Sequence, residues 1–192
     1  MTILHLDSSI TGDQSASRKL SAAIVETLTG GEASADVVYR DLAADPLDHL
    51  TLEGYASPQS AEALAEFQAA DTIVIGAPMY NFTIPTQLKA WIDRVLVAGQ
   101  TFRYTETGAV EGLAGDKTVI VAIARGGLYG EDSAQRSTEH AERYLTSAFG
   151  FIGITPRFVI AEGLKISDEA REAAMRAAHQ EIGDLRVPVA AA

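Results

Sequence analysis

The stretch Asp71–Gly99, DTIVIGAPMYNFTIPTQLKAWIDRVLVAG, decides the fold. Thr72 to Ala77 is a short, almost wholly apolar run rich in β-branched residues, the pattern of a strand buried on both faces. Pro78 to Ile84 follows as a loop that carries Met79, Tyr80, Asn81 and Phe82 in a row. Pro85 then opens a helix, since a missing N–H costs nothing at a first helical position. Leu88, Trp91, Ile92, Val95 and Leu96 fall at i, i+3, i+4, i+7 and i+8 and form one buried stripe. Strand, loop and helix make half of a βαβ unit, and open parallel sheets bind ligands at the carboxyl ends of their strands. A loop this aromatic at such an end suits a flat apolar ligand. The same rings packed under the helix would be ordinary core, and the stretch alone does not separate the two.

The flanking sequence repeats the pattern. Upstream, Thr2 to Asp7 reads as a strand, Ile10 to Ser15 as a polar loop, and Ala16 to Leu28 as a helix stopped by Gly30 and Gly31. Asp36 to Leu42 is a more exposed edge strand. Ala43 to Pro58 is an irregular connection with Pro46 and Pro58 as breakers, before a short helix from Ala61 to Ala70. Downstream, Gln100 to Asp116 is a long connection in which Thr101 to Tyr104 alternates and Thr107-Gly108 can turn a hairpin. Lys117 to Ala124 is a fourth buried strand, Ser137 to Phe149 a helix, and Phe158 to Ile160 a fifth strand. Asp168 to Arg186 is a final helix with Ser167 as N-cap. Strands alternating with helices imply one parallel sheet with helices on both faces, and residues 1–192 read as a single domain.

Composition narrows the function. A net charge of −11 argues against a nucleic-acid partner, which needs clustered Lys and Arg. The absence of cysteine excludes thiolate metal sites, iron–sulfur clusters and Cys nucleophiles. His5, His49, His140 and His179 are scattered with no partner at metal-ligand spacing, so no metal is expected, and His5 reads as a hydrogen-bonded buried histidine. No run approaches a membrane span, and the N-terminus lacks the features of a signal peptide, so a cytoplasmic protein without a membrane partner is the expectation. There is no Gly-x-Ser-x-Gly elbow.

Three loops fall at one edge of the expected sheet. Ser9, Ser15, Ala16 and Ser17 lead into a helix start, where unpaired N–H groups and the helix dipole suit a phosphate and Arg18 can add charge; Ser15 as a plain N-cap is the competing reading. Pro78 to Phe82 offers a platform for a ring, and Arg125-Gly126-Gly127 allows close backbone approach or a plain turn. The Gly115-Asp116-Lys117-Thr118 segment is not a P-loop, and no Gly-x-Gly-x-x-Gly follows the first strand. A phosphate loop, an aromatic loop and a glycine loop together describe FMN in a flavodoxin-like three-layer fold, with a five-stranded parallel sheet of order 2-1-3-4-5.

The residues also resemble a family. Ser15-Ala16-Ser17-Arg18, APMYNFTIPTQLKAWIDRV (Ala77 to Val95), GQTFRYT (Gly99 to Thr105), Arg125-Gly126-Gly127 and GFIGIT (Gly150 to Thr155) are similar, in order and over nearly the whole chain, to the FMN-dependent NADH:azoreductases, which are also NADH:quinone oxidoreductases. The resemblance implies a ping-pong transfer of hydride from NADH through bound FMN to quinones and azo compounds. Ser9, Ser15, Ala16 and Ser17 would hold the phosphate, Pro78, Met79, Tyr80, Asn81 and Phe82 would line the ring, and Ala124, Arg125, Gly126 and Gly127 would meet its pyrimidine side. It further implies a homodimer with active sites completed across the interface, with Phe102, Tyr104, Tyr129 and Phe151 as candidates for the acceptor pocket. No side chain is assigned as catalytic acid or base. Ala124 departs from members that carry a hydroxyl there, and Tyr129 from members that carry histidine. Two other readings stay open: a flavodoxin-type electron carrier, and an NADPH-preferring quinone or nitro reductase on the same scaffold.

Overall fold

The computed structural model describes residues 1–32 and 35–185. Its strands are β1 (Thr2–Asp7), β2 (Asp36–Asp41), β3 (Thr72–Pro78), β4 (Phe102–Tyr104), β5 (Val110–Gly112), β6 (Thr118–Ala124) and β7 (Arg157–Ala161). Its α-helices are α1 (Ala16–Thr29), α2 (Pro58–Ala69), α3 (Thr86–Val95), α4 (Ala141–Phe151) and α5 (Asp168–Gly183). β2-β1-β3-β6-β7 form one sheet whose neighbours all pair in parallel, while β4 and β5 make a separate antiparallel hairpin. With the hairpin set aside this is the 2-1-3-4-5 order of a flavodoxin-like fold.

Alternation along the buried strands feeds two cores. Leu4, Leu6, Ile73, Ile75, Val121 and Ile123 pack with Phe67 of α2, Trp91 of α3 and Phe149 of α4. Ile3, Val74, Ile120 and Ala122 pack on the other face with Leu20 and Ile24 of α1 and Ile182 of α5. Burial of each large apolar side chain is worth roughly 1.5–3 kcal/mol. That matters for α3, a helix of 10 residues, since an isolated helix shorter than about 12–15 residues is marginal in water. Its buried stripe, not its propensity, keeps it folded.

Three helix starts differ from the sequence reading. Pro85 is the N-cap of α3, with extended ψ of 148°, so the first helical residue is Thr86. Proline's fixed φ suits a residue just outside a helix as well as one just inside. Pro58 opens α2 instead of breaking the chain before it: Ser57 caps the helix by accepting from the Ser60 N–H, and proline at the first turn leaves no bond unmade. α4 starts at Ala141, later than Ser137, after a 3₁₀ turn at Arg136–Thr138. The buried carboxylate of Glu139 accepts from the N–H groups of Glu142 and Arg143 and so fixes that start. Ser167 caps α5 as expected. The expected helix end at Arg186 lies outside the described residues.

Register aligns the loops that follow the strands. Pro78, Ala124 and Ala161 are cross-strand neighbours at the carboxyl edge, and Asp7 of β1 pairs with Gly76. A β-carbon at position 76 would sit 2.2 Å from an Asp7 carboxylate oxygen and 3.2 Å from the Ser17 carbonyl, so glycine there makes room for the Asp7 side chain under the start of α1.

Candidate active site

Four loops leave that edge and surround a cavity of 640 Å³, within the range usual for a cofactor site.

The first loop follows β1. The Ser8 hydroxyl donates to the Gly76 carbonyl at 2.8 Å, fixing the loop's departure from the sheet. Ser9 and Ser15 line the cavity with Ala16, the first residue of α1. Ser15 does cap α1, accepting from the Arg18 N–H at 3.3 Å. Ser17 is fully buried and lies outside the lining; its hydroxyl is 3.0 Å from that of Ser15. Among the described residues no acceptor meets the N–H of Ala16 or Ser17. Capping therefore coexists with two bare donors at the positive end of a helix, an anion site by construction. Arg18 does not add charge to it. Its guanidinium forms three 2.7 Å bonds, two to the Asp41 carboxylate and one to the Ser9 carbonyl. Hydrogen bonding to Arg18 lowers the Asp41 pKa against the opposing effect of burial. Behind them, His5 Nε2 lies 3.0 Å from the Ser21 hydroxyl; burial lowers its pKa, against the pull of Asp7.

The second loop is Pro78 to Phe82, all of it lining the cavity. The Met79 N–H donates to the Ala124 carbonyl, extending the β3–β6 pairing. Tyr80 and Thr83 then exchange both backbone hydrogen bonds around Asn81 (φ 46°) and Phe82 (φ 75°). Positive φ at both central positions is the requirement of a type I′ turn. For a residue as bulky as phenylalanine it costs on the order of 1–3 kcal/mol and is the signature of a functional loop. The Phe82 ring is left 49% exposed and its carbonyl accepts from the His140 N–H, which holds the turn against the start of α4. The Tyr80 hydroxyl crosses to the first loop, 3.2 Å from the Ser9 hydroxyl, and accepts from the Ile10 N–H.

The third loop is Ala124 to Gly127. Its N–H and C=O groups face different fates. The carbonyls of Arg125, Gly126 and Gly127 accept from Leu164, Lys165 and Gly163, respectively. Among the described residues nothing accepts from the N–H of Gly126 or Gly127. The Arg125 side chain, 1% exposed, is taken up by carboxylates: 2.7 Å to Glu142, 3.3 Å to Glu139 and 3.5 Å to Glu162. Burial acts to raise the Glu142 pKa, but the hydrogen bond and charge of Arg125, with help from Arg136, hold it below the usual value.

The fourth loop, after β7, is absent from the sequence reading. It brings Leu164 and Lys165 to the cavity wall, and Arg171 of α5 joins them. The signal for them was topological: a fifth parallel strand must also end at this edge. Of the acceptor-pocket candidates Tyr129 lines the cavity. Phe102, Tyr104 and Phe151 lie outside its lining and form a separate cluster, with ring centroids 4.6 Å apart for Phe102–Phe151 and 5.7 Å for Phe102–Tyr104.

The arrangement fits FMN by chemistry. A dianion needs bare donors, which α1 supplies. A tricyclic ring needs an apolar slot, which Met79, Tyr80 and Phe82 supply. The pyrimidine side of that ring carries most of its acceptors, and Gly126 and Gly127 offer unpaired donors. Among the described residues no His, Asp and Glu cluster suits a metal ion, and no helix is long and apolar enough to cross a membrane.

Comparison with known proteins agrees with this chemistry. A family model described as "Flavodoxin-like fold" matches residues 1–185. An FMN-dependent NADH:quinone oxidoreductase of Xanthomonas campestris pv. campestris is 53% identical over 204 aligned positions, covering 97% of this chain and all of that protein. An azoreductase crystal structure from Bacillus anthracis str. Sterne superposes with a TM-score of 0.82 at 28% identity, covering 96% of this chain and 100% of that one. An FMN-dependent NADH-azoreductase from Bacillus anthracis str. Ames Ancestor in complex with FMN gives 0.81 at 26% identity, over 96% and 97% of the two chains. Built on this sheet and matched across its length, the chain belongs to the flavodoxin-like family of FMN-dependent NADH:quinone oxidoreductases.

Proposed function

We propose that this protein binds FMN in the cavity at the carboxyl edge of its sheet and uses it to carry electrons from NADH to quinones, and to azo compounds of similar shape. The observation that carries the reading is the pairing of two sets of unused backbone donors, at Ala16 and Ser17 and at Gly126 and Gly127, on either side of one aromatic-lined cavity. When bound, FMN supplies the redox chemistry, taking two electrons and a proton from NADH and passing them to the acceptor.

The chain's own residues bind, orient and exclude water. The N–H groups of Ala16 and Ser17, with the Ser9 and Ser15 hydroxyls, hold the phosphate. Pro78 to Phe82 support the ring. The Gly126 and Gly127 N–H groups meet its pyrimidine edge, as donors do in an oxyanion hole. Ala124 contributes backbone only. NADH and acceptor would take turns in the same pocket, a ping-pong order, with Tyr129 at its wall.

Phe102, Tyr104 and Phe151 enter through a partner. Tyr104, Val110 and Leu113 are exposed on and just after the β4–β5 hairpin. A homodimer that buries this surface would bring the aromatic cluster to the neighbour's cavity and complete the acceptor pocket. We place this single flavin-binding domain in the cytoplasm, where NADH is at hand.

The test is direct. Purified protein reconstituted with FMN should show an oxidised-flavin absorption spectrum, release FMN on denaturation, and consume NADH at catalytic protein concentration when menadione is present. A colourless protein that binds no added FMN overturns the reading. Bound FMN that exchanges electrons with a protein partner but leaves NADH and menadione untouched points to a carrier instead.

A further inference from the structure

Arg125, Lys165 and Arg171 are the cations that line the cavity. Arg125 is bound to carboxylates. Among the described residues Lys165 and Arg171 make no ion pair and donate no side-chain hydrogen bond, although the chain carries a net charge of −11.

Lys165 is the more sharply placed of the two. Its backbone N–H donates to the Gly126 carbonyl at 3.0 Å. Its stem then runs along Gly126: a β-carbon at that position would find Lys165 Cβ at 3.6 Å, Cγ at 3.3 Å and Cδ at 3.1 Å. The ammonium lies two bonds past Cδ. Glycine at 126 therefore makes room for the lysine stem as well as for a ligand. A bound ring presents most of its acceptors on the pyrimidine side, and its N1–O2 edge can satisfy the idle Gly126 and Gly127 donors. Reduction places negative charge on that edge, at N1 and O2. Lys165 is a free positive charge anchored on the residue that offers it a donor.

We infer that Lys165 is a redox-tuning residue: its ammonium favours reduced over oxidised FMN and so raises the midpoint potential of the bound cofactor. The inference rests on the FMN reading above. No covalent step is involved. The lysine acts through its field, whose strength grows as water is displaced from the site.

The experiment is a charge series at position 165 in the FMN-loaded protein, read by spectroelectrochemical midpoint potential and by the dissociation constant of oxidised FMN. Lys165→Met, which keeps the stem and removes the charge, should lose about tenfold in the preference for reduced FMN. That corresponds to about 30 mV downward for a two-electron couple. Lys165→Glu should fall further, Lys165→Arg should stay near wild type, and raising ionic strength should shrink the differences. Arg176→Gln, which removes an exposed α5 cation paired with Glu172, controls for net charge and should leave the potential unchanged. Equal potentials across the Lys, Met and Glu proteins overturn the inference while leaving the FMN reading intact. So does a loss of affinity in Lys165→Met that is equal for oxidised and reduced FMN, which would make the residue a general ligand. Wild-type protein that binds no FMN overturns the underlying reading instead.

Discussion

The serine loop and the glycine loop present the same thing to the cavity, a pair of backbone N–H groups without partners, and hold it in opposite ways. Ala16 and Ser17 owe their bare donors to a helix start, whose first turn has nothing to bond within itself. The loop before them is braced from outside by Arg18, which grips the Ser9 carbonyl and the Asp41 carboxylate. Gly126 and Gly127 have no helix start beside them, since α4 begins only at Ala141. Their donors are bare because the neighbouring β7 loop has taken the carbonyls and turned the other side of each peptide free. One donor pair is a by-product of secondary structure. The other is made by lateral clamping, and it depends on Arg125 staying buried among glutamates.

The largest test of that difference is Arg125→Met. It leaves Glu139, Glu142 and Glu162 facing one another without their buried cation, with only the outer Arg136 near Glu139 and Glu142. Breaking a buried ion network in this way costs about 3–5 kcal/mol, to be read as a fall in the urea midpoint. FMN affinity should fall with it if the clamp sets the glycine donors. Ser15→Ala strikes the other loop and should cost about 1 kcal/mol, the usual value of a lost N-cap. Its FMN affinity should also weaken, most visibly against free phosphate as competitor. A third substitution separates stability from function in the loop that joins these two. Phe82→Gly relieves a positive φ and should raise stability by up to about 1 kcal/mol, while FMN binds less tightly because a ring face is gone. If stability falls instead, the turn is not strained.

The smallest effect is in pH. Asp41 and Glu142, one carboxylate behind each loop, both have folded pKa values lowered by their arginines. Such a group contributes stability in full above its unfolded value, near pH 4, and loses it as pH falls through the lower folded value. Urea midpoints should therefore drop between pH 5 and pH 3. In Arg125→Met the Glu142 share of that slope should shrink, because only Arg136 still faces that carboxylate, while the Asp41 share stays.

Some of this was plain in the sequence. The buried strands were legible because both faces demand apolar side chains, and the three expected loops met because parallel register leaves no choice of edge. What escaped reading depends on partners distant in sequence. Nothing local says that Arg18 will spend its charge on Asp41, a residue of the neighbouring strand, rather than on a phosphate. Positive φ at Phe82 was invisible because asparagine and glycine are the residues that announce it. The start of α4 was misplaced because its capping group is a glutamate one residue before the N-cap, where a serine or aspartate at the cap is the usual sign. Lys165 and Arg171 were missed because a β7 loop without glycine pairs or aromatics carries no pattern, although Gly163 in it sits at φ 75°.

Pro78 and Ala124, cross-strand neighbours that both line the cavity where the strands end, have a dielectric consequence. These two side chains hold no hydroxyl, amide or charge, and neither is long enough to swing a dipole. That part of the wall therefore cannot reorient to soften a field. A charge set against it is answered from the rim, by the fixed peptide dipoles of the loops and by Lys165.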